Sequence, residues 1–173
     1  MLLVAPLIAT DVDAARALML HPQVRGPLFM GPHPLSAEIL LQRTYFVGRL
    51  QRGGPLVGVL GLHAEGLSYA VDPELWGRGL GREMLRIACH ALAPAAGLAC
   101  LQALVQRDNV RSRRLLERAG FRFAGVVGPP LAGAAAVLRY AYRISPPARP
   151  AAAGLQRHRE SSHGTSVDRR QEA

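Results

Sequence analysis

Gly77, Gly79 and Gly81 alternate with Arg78, Leu80 and Arg82 in a short stretch between an extended run and an amphipathic one. Removing the side chain at every second position lets backbone N–H groups converge on an anion, and a helix starting there adds the positive end of its dipole. Phosphate is the natural guest, with the two arginines adding charge beside it. A dinucleotide site of the Rossmann type would ask for an acidic residue about 20 positions later. Leu101 and Gln102 stand there instead, and the strand before the turn belongs to a hairpin. A Walker A loop needs lysine, and all 21 basic residues are arginine, which also excludes a Schiff-base lysine. A turn left bare only so that two elements can pack closely is the remaining alternative.

Such a turn needs elements to hold it. Residues 1–7 predict a first strand and residues 10–20 a short helix that Thr10 or Asp11 caps. Prolines then break the chain as far as Pro34, and residues 36–50 read as a second helix capped by Ser36. Residues 55–63 and 67–73 are short apolar strands separated by residues 64–66, which predicts a tight antiparallel hairpin. Beyond the glycine turn, Leu80, Met84, Ile87, Ala88 and Ala91 share one helical face and Arg78, Arg82 and Arg86 another, with Pro94 and Gly97 ending the helix. Residues 98–105 read as a buried strand, residues 108–120 as a helix closed by Gly120, and residues 121–127 and 134–144 as a final antiparallel pair. This order describes an α/β or α+β domain built on one mixed sheet, spanning residues 1–144. Residues 145–173 are rich in Pro, Ala, Ser and Arg and poor in large apolar side chains, so they are expected to form a disordered tail.

Residues 71–85, which hold the glycine turn, and residues 109–121 together resemble the two signature segments of the GNAT superfamily of N-acetyltransferases. The likeness is greatest to its ribosomal-protein N-terminal-alanine acetyltransferase branch. The resemblance implies a mixed, mostly antiparallel central sheet flanked by helices, with splayed central strands and acetyl-CoA as co-substrate without a metal. By the same likeness the backbone from Gly77 through Arg78, Gly79, Leu80 and Gly81 to Arg82 would hold the pyrophosphate. An N–H near Ala70 or Val71 would polarise the thioester carbonyl. Asn109 would bond the cofactor arm and Ser112 would stabilise the departing sulfur. Glu65 is placed near where relatives carry a glutamate facing the acceptor amine, with His63 and Asp72 as rivals for that proton. Trp76 departs from the Gln or Arg that usually opens the glycine segment, and Leu116 stands where many members carry a tyrosine. On the residues alone, Asn109 is equally a helix cap, and Ser112 shares an apolar face with Leu115, Leu116 and Ala119.

The function this implies is transfer of an acetyl group to a primary amine, either a protein N-terminus or a small molecule. The alternative is a regulatory module that binds acyl-CoA with little turnover, prompted by Leu116 and by Glu65 falling one residue off the usual spacing to Tyr69. The formal net charge of +9 favours anionic partners. Arg111, Arg114 and Arg118 form a basic stripe, but no aromatics interleave it, so direct nucleic-acid binding is not expected. Cys89 and Cys100 form no metal or redox motif. The first residues lack the basic region of a signal peptide, so a cytoplasmic protein away from membranes is expected, as monomer or homodimer.

Overall fold

The computed structural model describes residues 1–26, 36–42, 44–63, 66–127 and 136–144. Along the chain β1 (Leu3–Pro6) leads through a short turn to α1 (Val12–Leu20), α2 (Pro22–Arg25) and α3 (Ala37–Gln42). Then come β2 (Thr44–Arg49), β3 (Leu56–His63) and β4 (Gly66–Val71). The glycine turn opens α4 (Leu80–Ile87), which runs through a π turn (Ala88–Leu92) into α5 (Ala93–Ala95). β5 (Cys100–Gln106), α6 (Val110–Arg118), β6 (Arg122–Val126) and β7 (Val137–Arg143) complete the fold.

The strands form one sheet in the order β1-β2-β3-β4-β5-β7-β6. Every neighbouring pair is antiparallel except β4 and β5, which run parallel and meet only at Leu67 and Ala103. The expected mixed, mostly antiparallel sheet is therefore present, and it parts at its one parallel seam. The hairpin expected from residues 55–73 is β3 and β4, with Gly58 opposite Val71 and His63 opposite Gly66. β7 inserts between β5 and β6, so the last two strands are a pair whose second member lies inside the sheet.

Two cores cover the two faces. On one, Leu60, Leu62, Leu101, Val105 and Tyr140 pack with Met84, Leu85 and Leu116 of α4 and α6. On the other, Val12, Ala15 and Met19 of α1 and Leu40 of α3 pack with Tyr45 and Val59. At about 25 cal/mol per Å², burial of side chains of this size is the main term holding helices to sheet.

Three expectations are corrected by the structure. The helix expected over residues 36–50 stops at Gln42, and residues 44–49 are β2. Ser36 does cap it, its Oγ accepting from the Ile39 N–H at 3.2 Å. Short apolar runs fit either periodicity, and the Tyr45-Phe46-Val47 run has strand chemistry that a place between β1 and β3 satisfies. Asp11 stands at the start of α1 but makes no cap bond. Its buried carboxylate accepts from the Ile8 N–H and pairs with Arg49 of β2, so it ties the helix entrance to the sheet. Pro94 does not end the helix begun at Leu80, which runs on to Ala95. The Ala93 N–H reaches back to the Ala88 carbonyl, the widened turn that lets the chain pass a residue with no N–H. The expected tail, residues 145–173, lies outside the described residues, as do Glu65 and most of the loop before β7.

Candidate active site

The site begins where β4 and β5 separate. The Asp72 N–H bonds the Val57 carbonyl at 3.0 Å, and strand alternation then turns the backbone groups of Val71 and Tyr69 away from β3, toward β5. Past Leu67 no β5 residue pairs with them, which leaves the Val71 N–H directed into the gap. The gap widens into a cleft of about 1010 Å³. Val71, Gly77, Gly79, Leu80, Gly81, Arg82, Asn109 and Ser112 all line it. Arg78 lies on the same turn, exposed, and is not part of the lining.

The glycine turn has the conformation its composition suggested. Gly77 and Gly79 have φ of +82° and +80°, backbone that L side chains rarely adopt, and nothing lies within 4 Å of where a Cβ would stand. Gly81 is different: a Cβ there would meet Leu115 Cδ2 at 2.8 Å, so its bareness lets α4 approach α6. The packing explanation for the turn thus holds at Gly81 and fails at the other two. The first N–H groups of α4 have no carbonyl one turn back and face the cleft. Among the described residues the charged groups lining the cleft are Arg82, Arg111, Arg114 and Arg118, all positive.

Trp76 fixes the turn to the seam. Its indole N–H donates to the Val71 carbonyl at 2.8 Å, and the Arg111 guanidinium lies 4.2 Å from the ring centroid. The departure at this position therefore supplies a bridge from the glycine turn to both β4 and α6.

Asn109 is the N-cap of α6, its Oδ1 accepting from the Ser112 N–H at 3.1 Å. Its side-chain NH₂ keeps two donors that this bond does not use. Ser112 Oγ lies 2.7 Å from Tyr69 Oη, across the open seam. Burial pushes the Tyr69 phenol up to about 12, only partly offset by that hydrogen bond. Leu116 is fully buried in the core between sheet and helices. The Tyr69 and Ser112 pair was not legible as a pair in the sequence, because the two residues lie 43 positions apart.

Ser68, one residue earlier on β4, points to the opposite face. Its Oγ lies 2.9 Å from His63 Nε2, and both residues line the cleft. Glu65 lies outside the described residues. Asp72 instead accepts from the Glu74 N–H and is not in the lining.

Residues 2–122 match the family described as Acetyltransferase (GNAT) domain. The chain belongs to this acetyltransferase family. Over 79 residues it is 33% identical to the uncharacterized N-acetyltransferase YoaA of Bacillus subtilis (strain 168), an alignment that takes in 42% of this chain and 45% of that protein. The fold is shared with spermidine N-acetyltransferase from Vibrio cholerae, solved with CoA and spermine, at a TM-score of 0.70 and 19% identity over 83% of this chain and 95% of that one. It is also shared with ribosomal-protein-S5-alanine acetyltransferase from Vibrio fischeri, at a TM-score of 0.69 and 15% identity over 83% and 93% of the two chains. At these identities the structural likeness establishes the fold alone. Among the described residues no helix is long and apolar enough to cross a membrane.

Proposed function

We propose that the protein moves an acetyl group from acetyl-CoA to a primary amine. The observation that carries this reading is the open parallel seam, with the unpaired Val71 N–H in its wall and the glycine turn of α4 at its mouth. A pantetheine arm carries amide groups that suit an unpaired strand edge, and a diphosphate suits a turn with room over Gly77 and Gly79. The residues present therefore fit the co-substrate. Gly77 to Arg82 would hold its diphosphate, Arg111, Arg114 and Arg118 would meet its further negative charge, and Asn109 would bond its arm. Acetyl-CoA supplies a thioester, an acyl group already activated for attack.

The chain then has three tasks. The Val71 N–H donates to the carbonyl oxygen as charge gathers there, a fixed dipole needing no reorganisation. The Ser112 hydroxyl, oriented by Tyr69, donates to the departing sulfur. A phenol near 12 does not surrender its proton to a thiolate whose ordinary pKa is about 8.5. Tyr69 and Ser112 accordingly stabilise the sulfur by hydrogen bonding, and the proton that the thiolate takes up balances the one that the attacking nitrogen sheds as the amide forms. The third task, receiving the proton of the amine, falls to a group on the opposite face of β4 from Tyr69. The thiols Cys89 and Cys100 fit the cytoplasmic setting this reading assumes.

The test combines calorimetric titration with coenzyme A and a thiol-release assay over a panel of primary amines, including short peptides with free N-termini. Binding together with release from at least one amine is the expected result. Binding with no release across the panel would favour the regulatory module. Gly79→Val, a β-branched residue at φ +80°, should weaken coenzyme A binding at least tenfold while circular dichroism shows the fold retained. An unchanged affinity in that variant would remove the ground for the reading.

A further inference from the structure

The acceptor side of the cleft holds a cluster that the cofactor side does not use. Tyr45 of β2, Gly61 of β3 and Ser68 of β4 lie opposite one another across the sheet. His63, two residues beyond Gly61, folds its ring back over that row. The ring lies 5.4 Å from Tyr45, centroid to centroid, and its Nε2 reaches Ser68 Oγ at 2.9 Å. Gly61 makes this possible. A Cβ there would stand 2.4 Å from His63 Cε1, 2.7 Å from Tyr45 Cε1 and 2.8 Å from Ser68 Oγ. The imidazole occupies the space that any other residue at 61 would fill, which makes this a built site.

Building on the acetyltransferase reading, we propose that Ser68 and His63 accept the proton of the acceptor amine. A primary amine arrives as an ammonium ion and has no lone pair to attack with until that proton leaves. In the step, an N–H bond of the ammonium breaks and the proton passes to Ser68 Oγ. The hydroxyl proton of Ser68 moves at the same time to His63 Nε2. The result is a neutral amine, an intact serine and an imidazolium ion, which then returns its proton to water. An imidazole can both accept and return a proton in water, which is what this exchange asks of it. Ser68 touches the substrate, and His63 acts through it. Consecutive residues on β4 thereby serve the two reactants, Ser68 the amine on one face and Tyr69 the sulfur on the other.

Among the described residues, several groups lie on the elements around the imidazole, and α1, packed on β3 and β4, carries Asp13 and Arg16. From β2 the imidazole faces Tyr45 and from β4 the Ser68 hydroxyl, which does not titrate near neutrality. α3, packed on β2, carries Glu38, and α2, which borders the cleft through Gln23 and Val24, carries Arg25. The turn between β3 and β4 carries Glu65.

The experiment is the pH profile of kcat/KM with an amine that the panel shows to be accepted. In the wild type the profile should rise with pH along one limb, as the proton acceptor is deprotonated. His63→Gln should lose that limb and about 100-fold in kcat/KM, with coenzyme A affinity within about threefold of the parent. Ser68→Ala should fall in the same direction, and Ser68→Thr should recover part of the loss by restoring a hydroxyl. His63→Ala should regain activity when imidazole is added to the assay, which a merely structural role would not allow. Gly61→Ala, whose Cβ would press on the ring and on Ser68 Oγ while both side chains remain, should lose the same limb. Wild-type turnover with an unshifted limb in His63→Gln overturns the inference alone. No turnover by the wild type with any amine overturns the acetyltransferase reading and this inference with it.

Discussion

Tyr69 and Ser112 meet at 2.7 Å where the sheet parts, and each polar atom there is placed by a different constraint. Ser112 is held by the cap that Asn109 makes to its own N–H, and Tyr69 by the strand alternation that turns its side chain toward α6. A hydrogen bond to a charged partner contributes about 1.5–3 kcal/mol. Ser112→Ala and Tyr69→Phe should therefore each lower kcat by roughly 10- to 100-fold at about 1.4 kcal/mol per tenfold, with coenzyme A affinity nearly unchanged in calorimetry. The phenol also predicts a stability signature. Its pKa is raised from 10 to about 12 on folding, so the folded state keeps a proton that the unfolded chain releases. Stability is complete below pH 10 and falls as pH rises from 10 toward 12, by at most about 1.4 kcal/mol per unit. Urea melts across that range should show a shallower fall in Tyr69→Phe than in the parent.

At the scale of elements, α4 and α6 are the two walls that the cofactor side requires, and their contact depends on the absence of a Cβ at Gly81 and on the burial of Leu116. Leu116 is fully buried, so it serves the core and not the chemistry a tyrosine would bring there. Leu116→Ala should cost about 2–5 kcal/mol in urea unfolding, the range for a leucine removed from a packed interior. Much of this level was legible in the sequence. The glycine turn, the β3 and β4 hairpin and the helix from Asn109 to Gly120 each carry local signals: bare positions, alternating apolar runs, and a cap with a stop. Residues 44–49 were not legible as β2, because six residues cannot separate a strand period from a helix period without knowing what lies on either side. Asp11 was misread for a related reason. A carboxylate at a helix start looks like a cap until the arginine 38 positions away is known to lie beside it.

At the scale of the whole molecule, the formal net charge of +9 and the arginines lining the cleft act on the two substrates with opposite sign. An anionic donor is attracted and a cationic acceptor is repelled, and salt weakens both effects, since the screening length falls from about 10 Å at 0.1 M to about 3 Å at 1 M. Raising ionic strength over that range should increase the Kd for coenzyme A several-fold, while KM for a multiply charged amine should fall or hold steady. Affinity for both weakening equally would show that the field of the molecule is not what distinguishes them. The element order and the glycine turn could be read from spacing, and the rest of the donor side from the likeness to the GNAT superfamily, because these rest on backbone and on local glycines. The cluster proposed to serve the acceptor, Tyr45, Gly61, His63 and Ser68, comes together only through the register of three strands.

That register restricts how β4 can change. Side chains on a strand alternate with a period of two, so deleting or inserting one residue before Ser68 would send the serine to the face of α4 and α6 and the phenol to the opposite face. The serine and the phenol would both leave the neighbours they now meet, His63 and Ser112, in one step. Loop length around this strand is free to drift in descendants of the protein, but the strand itself can gain or lose residues only in pairs.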